Sequence, residues 1–289
     1  ITPMLDDFAV FILTHGRADN VITYKTLQRA GYTGRVYIVI DNEDKQADRY
    51  YQNFGDKVIM FDKAAEAENT DCGDNFTERN TVLFARNACF DIAEGLGIEY
   101  FLVLDDDYTD FRYKMDAEYN YLNMAWVKNA DAVINLLVEY YKSIDCASLA
   151  IAQGGDFIGG GGNDIHESIN RRRKAMNFWI LSTKRKYQYI SRMNDDVSTY
   201  VSLGNKGLLF LTFPLIAIQQ KETQTNNGGL TDMYKKFGTY VKSFYTVMYQ
   251  PSSVRCEIMR SHHEERLHHS IDWDTTVPCI ISEDLRKVE

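Results

Sequence analysis

The sequence predicts an α/β protein with a mostly parallel, doubly wound central sheet, and two observations carry that expectation. Apolar runs without polar alternation recur at Phe8 to Leu13, Arg35 to Ile40 and Phe101 to Leu104, the pattern of strands covered on both faces. Helix-compatible stretches separate the first of them, from about Asn20 to Ala30 and from Asp44 to Phe54, so strand and helix alternate as crossovers between parallel strands require.

Taken in order, the first run leads into Thr14-His15-Gly16-Arg17, and the second ends in Asp41 ahead of a helix and a third strand at Lys57 to Phe61. Residues 62–76, with Asn69, Asp71, Gly73 and Asp74, read as a polar loop. A long helix is expected from Thr77 to Glu94, because Val82, Leu83, Ala85, Ala88, Cys89 and Ile92 share a face, with Gly95 and Gly97 as the stop. The strand after it ends in Asp105-Asp106-Asp107. A tyrosine-rich stretch from Tyr108 to Trp126 reads as irregular, followed by a helix from Ala130 to Tyr141 and a strand from Ser148 to Ala152. Gly159 to Asn163 is the most flexible stretch by composition. Two basic runs, Arg171 to Lys174 and Lys184 to Lys186, bracket a strand-like segment, Phe178 to Leu181. Asn194-Asp195-Asp196 precedes a short helix from Val197 to Leu203, then a strand at Leu208 to Leu211 and a polar loop from Gln219 to Gly229. The tail from Val241 carries four of the six histidines, as the pairs His262-His263 and His268-His269. With no internal repeat or linker, residues 1–289 are expected to form a single domain.

Composition narrows the class. Apolar and charged fractions are those of a globular protein, no apolar run is long enough for a membrane span, and the first residues lack the pattern of a signal peptide, so a cytoplasmic protein without a membrane partner is expected. Five scattered cysteines without a CxxC pair argue against a disulfide framework or a structural zinc site. A net charge of −9 disfavours nonspecific coating of nucleic acid and leaves room for a local basic groove.

Three adjacent carboxylates repel one another, and a cation among them relieves that repulsion. In an extended chain Asp105 and Asp107 point to the same side, at the strand end where α/β sheets bind ligands, and their oxygens suit Mn2+ or Mg2+. The competing reading is a solvated acidic turn. Arg79, Asn80, Arg86 and Asn87 recur at seven-residue spacing on the expected long helix, so each pair sits at nearly one angle two turns apart. That face suits either a ligand or pairing with nearby acids.

The order of strands and helices before this acidic cluster resembles the GT-A nucleotide-sugar glycosyltransferases, with a single Rossmann-type domain. The resemblance implies a DxD-type motif at Asp105-Asp106-Asp107, its cation bridging the donor's diphosphate, with Asp105 and Asp107 as metal ligands and Asp106 at the donor. It implies donor contacts from Thr14, His15, Gly16, Arg17, Asp41, Arg86 and Asn87, and a catalytic base at Asp195 or Asp196, either of which is also suited to capping the helix that follows. It also implies a metal-ligating histidine late in the chain, His268 or His269. Residues 1–110 then form the nucleotide-sugar half and 111–289 the acceptor-binding and catalytic half.

A closer resemblance covers most of the chain. ILTHGR, LDDD, FIGGGGN, NDDVSTY, QTNNGGLTDMY and HHS together resemble the TET-associated glycosyltransferases, mostly phage enzymes. This implies a UDP-sugar donor, a hydroxymethylpyrimidine in DNA as acceptor, DNA-phosphate contacts from Arg171, Arg172, Arg173 and Lys174 with Lys184 to Lys186, and action in the host cytoplasm. A protein or glycan acceptor is the alternative. Two readings from other classes also fit parts of the sequence. Asp105 to Thr109 matches the DxDxT pattern of aspartate-nucleophile phosphatases, and the same strand ends suit a noncatalytic sugar-nucleotide or DNA-binding module.

Overall fold

A computed structural model describes residues 6–116, 118, 120–153, 175–220, 237–238, 240–260, 265–276 and 283. Strands β1 (Phe8–Leu13), β2 (Val36–Asp41), β3 (Val58–Phe61) and β4 (Tyr100–Asp105) alternate with helices α1 (Ile22–Arg29), α2 (Ala47–Phe54), α3 (Lys63–Glu68) and α4 (Leu83–Gly95). The antiparallel pair β5 (Tyr108–Met115) and β6 (Tyr121–Trp126) precedes α5 (Ala130–Ser143), β7 (Ser148–Gln153), β8 (Trp179–Ser182), α6 (Asp195–Asn205) and β9 (Phe210–Gln220). Helix α7 (Val241–Tyr249), strands β10 (Val254–Arg260) and β11 (Glu265–Ile271), and the short helix α8 (Trp273–Thr276) follow.

The main sheet has the order β3-β2-β1-β4-β8-β7-β9-β5-β6. Its first four strands are parallel, β8 runs antiparallel to both β4 and β7, and β9 is parallel to β7. The sheet is therefore mostly parallel, and β1, β2, β4, β7 and β9 all end at one edge. Strand alternation divides the core into two layers. Phe8, Val10 and Ile12 of β1 pack with Leu27, Tyr50 and Leu137 from α1, α2 and α5 on one face. Ala9, Phe11 and Leu13 pack with Phe84 and Phe90 of α4 and Val201 of α6 on the other. That two-sided cover is why β1 lacks polar alternation.

Several expectations are corrected. Tyr108 to Trp126 is largely two antiparallel strands, with β5 paired to β9, because aromatic residues alternate with Asp110, Arg112 and Lys114 on a half-buried surface. The stretch 62–76 contains α3, whose sequence KAAEAE is helix-forming and whose first amides, Ala64 N and Ala65 N, donate to the Asp62 cap. Helix α4 starts at Leu83, so Arg79 and Asn80 lie off it, and Arg79 pairs with Glu43. Strand β9 extends well beyond Leu211, to Gln220.

The basic run Lys184 to Lys186 follows β8 and sits against the start of β4, at the edge opposite Asp105, because β8 runs backwards. Its charges are engaged there. Lys184 pairs with Glu99 at 2.6 Å, Lys186 pairs with Asp91, and Arg185 donates to the carbonyls of Tyr141, Ile144 and Cys146. The run expected to follow DNA phosphates thus lies away from the edge that carries Asp105. Arg171 to Lys174, Gly159 to Asn163 and His262-His263 lie outside the described residues. Among those described, no helix is long and apolar enough to cross a membrane.

Gly31 ends α1 with φ +80°, and a Cβ there would come within 2.7 Å of the Lys128 carbonyl oxygen. Backbone strain and backbone contact act together at this position. Gly31→Ala is expected to destabilise the fold by about 1–3 kcal/mol, read as a lower urea midpoint at unchanged slope.

Candidate functional site

Three consecutive carboxylates at the end of β4 take three different environments. Asp106 turns inward: Thr14 Oγ1 donates to one oxygen at 2.7 Å and Arg17 Nη1 to the other at 2.7 Å. Tyr50 OH completes the cluster, bonding Thr14 Oγ1 at 2.8 Å and accepting the Arg17 amide at 2.9 Å. Asp106, expected at the donor, thus fastens the β1–α1 loop to β4. Burial raises its pKa, while Arg17 and Thr14 oppose the rise.

The backbone of the same turn is held by Thr23, which donates to Asp105 O at 2.6 Å and accepts from Tyr108 N at 2.9 Å. Asp105 faces Arg86, whose Nη2 lies 3.6 Å from its Oδ1. Asp107 is partly buried, and its pKa is pushed up to about 7 by desolvation and then by the charges of Asp105 and Asp106.

At the end of β2, Asp41 accepts from His15 Nδ1 at 2.7 Å and from buried Lys63 Nζ at 3.2 Å. Burial alone would raise the Asp41 pKa, but these partners outweigh it and lower it. Gly16 N donates to Asp44 Oδ2 at 2.7 Å. The loop from Thr14 to Arg17 and Asp41 do meet at one strand edge, as expected. In this structure Asp41 serves Lys63 and His15.

The second half reaches the same edge through Arg86. Its Nη1 donates to Asp195 Oδ2 at 2.6 Å, and its guanidinium lies 6.0 Å from the Trp179 ring centre and 5.8 Å from that of Tyr189. Burial works against its charge, yet Asp195, Asp105 and Asp196 hold its pKa far above normal. Asp195 is raised by burial, with Arg86 opposing. Asn87, expected to meet the donor sugar, is instead buried and bonded to both backbone groups of Tyr189. Neither Asp195 nor Asp196 is the cap of α6. Asn194 occupies that position with φ +53°, a conformation asparagine tolerates. Its Nδ2 lies 3.1 Å from Lys242 O and 3.2 Å from His269 Nδ1, which brings the tail to the start of α6. Asp196 is only partly buried, and its Oδ1 accepts from Val197 N.

Among the described residues, no three His, Cys, Asp or Glu side chains form a group able to hold a metal ion, so Asp105, Asp107, His268 and His269 are not a preformed cage. Sequence reasoning missed Thr23, Asp44, Tyr50 and Lys63, which hold the acidic turn and the two loops. It also missed Arg192, buried and bonded to Asp74 at 2.8 Å, which pins the segment before α4. Helix-forming composition after Asp62 was the available signal for Lys63.

Fold and site together define an α/β protein whose charged side chains gather where its parallel strands end. The family model described as TET-associated glycosyltransferase matches residues 8–229, more than half of the chain. The chain belongs to that family and is a glycosyltransferase. No curated protein matches it in sequence. Similar solved structures include a mycobacterial protein, 8% identical, at TM-score 0.44 over 91% of this chain and 83% of that one. Another is glucosyl-3-phosphoglycerate synthase from Mycobacterium tuberculosis in complex with Mn2+, UDP and phosphoglyceric acid, 8% identical, at 0.42 over 91% and 86%. A third is CMP:2-keto-3-deoxy-manno-octonic acid synthetase complexed with CTP, 12% identical, at 0.38 over 83% and 98%. Likenesses this weak say nothing about substrate.

The environment of Asp107 gives a pH prediction. Its pKa of about 7 in the fold exceeds the ordinary 3.8, so the folded state holds the proton more tightly. Its stabilising contribution is complete below about pH 4 and is lost as pH rises to 7. In metal-free buffer, Asp107→Asn should flatten the fall in melting temperature between those pH values; an unchanged slope would refute the assignment.

Proposed function

We propose that this glycosyltransferase moves a sugar from a UDP-sugar to a hydroxymethylpyrimidine in DNA. Asp105 and Asp107 hold a divalent cation, and Asp196 takes the acceptor's proton. The observation that supports this reading is convergence: the acids ending β4 and those opening α6 meet at one sheet edge, joined by Arg86. Residues 1–110 supply the donor side and 111–289 the acceptor side.

The acids present fit Mn2+ or Mg2+. Such cations are commonly bound by one or two carboxylates with substrate phosphates filling the remaining positions, so a full protein cage is not required. The pKa of Asp107 is raised first by burial and then by the charges of Asp105 and Asp106, and a cation beside it opposes both. A bound cation supplies positive charge for the departing diphosphate. His268 or His269 would add a nitrogen ligand. Thr14 to Arg17 and Asp41 line the donor side, their shape fixed by Asp106, Tyr50 and Lys63.

Asp196 is preferred to Asp195 as base because Asp195 is buried in its ion pair with Arg86, whereas Asp196 is partly exposed on the same first turn. With inversion, the acceptor oxygen attacks the anomeric carbon, Asp196 accepts the hydroxyl proton, and the nucleoside diphosphate leaves with the bonding electrons. The acceptor assignment draws on the family and on Arg171, Arg172, Arg173 and Lys174.

Mass analysis of nucleosides from hydroxymethylated DNA, incubated with UDP-sugars and Mn2+, tests this reading. A sugar adduct is expected that disappears with chelator and is absent from unmodified DNA. Asp196→Asn should lower transfer by about 10²- to 10⁴-fold while leaving UDP binding intact. Transfer to a protein or glycan acceptor, with none to hydroxymethylated DNA, would overturn the acceptor assignment.

A further inference from the structure

We infer that Arg86 is a positioning residue that registers the donor end of the site against the acceptor end without touching substrate. This deepens the reading above and rests on Asp196 as the base.

Arg86 is only 4% exposed, and its two amino groups face carboxylates from different halves of the chain. Nη1 is 2.6 Å from Asp195 on α6, and Nη2 is 3.6 Å from Asp105 on β4. Its Nε is buried without a hydrogen-bond partner, so the terminal fork carries the polar contacts. The slot around the guanidinium is also fixed. Trp179 and Tyr189 are both almost fully buried, and the backbone of Tyr189 is gripped by Asn87, the neighbour of Arg86 on α4. A planar guanidinium suits a space between rings, and its spread donors serve two acids at once, which a lysine's point charge does not.

The consequence reaches Asp196 through the chain. Asp195 is the first residue of α6, so fixing its carboxylate fixes the first turn and sets the distance from Asp196 to the donor held near Asp105. Displacements of about 1 Å from a change outside the reacting groups can cost 10²-fold in rate. A group at 4% exposure with both amino ends turned to acids is badly placed to bind a sugar, so the donor contact expected from the sequence is replaced by this role.

Arg86→Lys keeps the charge and is the main test variant. Its kcat for transfer to hydroxymethylated DNA should fall about 10²-fold, while the donor KM and calorimetric UDP affinity stay within a few-fold of wild type. Exchange of the α6 first-turn amides should speed about tenfold or more, as expected for loss of a charge-assisted hydrogen bond. Arg86→Ala, if it folds, should recover part of its kcat on addition of millimolar guanidinium, with donor KM unchanged. Loss of UDP affinity in parallel with kcat would show contact with the donor and overturn the proposal, as would wild-type kcat or unchanged amide exchange in Arg86→Lys. UDP affinity and exchange need no acceptor. If the wild-type protein leaves hydroxymethylated DNA unmodified, the acceptor reading falls and those two measurements still decide the role of Arg86.

Discussion

The repulsion among Asp105, Asp106 and Asp107 is the constraint around which the site is built. Three like charges on consecutive residues are tolerated only if each finds a separate environment. Asp106 is paired with Arg17 and hydrogen-bonded by Thr14, and those contacts shape the β1–α1 loop. Asp105 faces Arg86, which ties it to the second half of the chain. Asp107 is partly buried beside Asp105 and Asp106, and desolvation followed by their charges raises its pKa to about 7. One electrostatic problem thus accounts for the loop conformation, the approach of the two halves, and the carboxylate best placed to gain from a cation.

Sheet topology determines what reaches that edge. Because β8 is inserted antiparallel between β4 and β7, the strands on both sides of it end at the same edge as the acids. The same reversal sends Lys184 to Lys186 to the far edge, where they meet Glu99, Asp91 and backbone carbonyls. Strand direction, more than local charge, thus decides the edge at which the run after β8 lies.

Much of the architecture was legible because β1, β2 and β4 are buried on both faces and so appear as unbroken apolar runs. Strand β5 was harder to see: it is only partly buried, and Asp110, Arg112 and Lys114 along it obscure the pattern. At the site, strand-end residues such as Thr14, Asp41 and Asp105 were legible from their position after apolar runs. Their partners were not. Nothing local in the sequence says that Tyr50 will meet Thr14, that Lys63 will be buried against Asp41, or that Arg86 will face inward, since each pairing is made by tertiary packing. The seven-residue recurrence of Arg and Asn illustrates the limit, because only the second pair lies on α4 and it is turned to the core.

Burying Arg86 has a cost that stability alone does not explain. Replacing a buried ion pair with well-packed apolar residues is often neutral or stabilising, so retaining one is a weak argument for stability. What the ion pair provides is direction. Hydrophobic contacts among Phe90, Phe101, Trp179 and Val201 would hold α4 and α6 against the sheet over a range of small displacements. A 2.6 Å charged hydrogen bond allows far less freedom. It also separates two adjacent carboxylates by environment, since Asp195 is buried against the guanidinium while Asp196 stays partly exposed on the same turn. Asn194 stands just before them in the left-handed conformation, and its side chain reaches Lys242 and His269. The start of α6 is thereby oriented by one buried cation from the first half of the chain and one asparagine from the second.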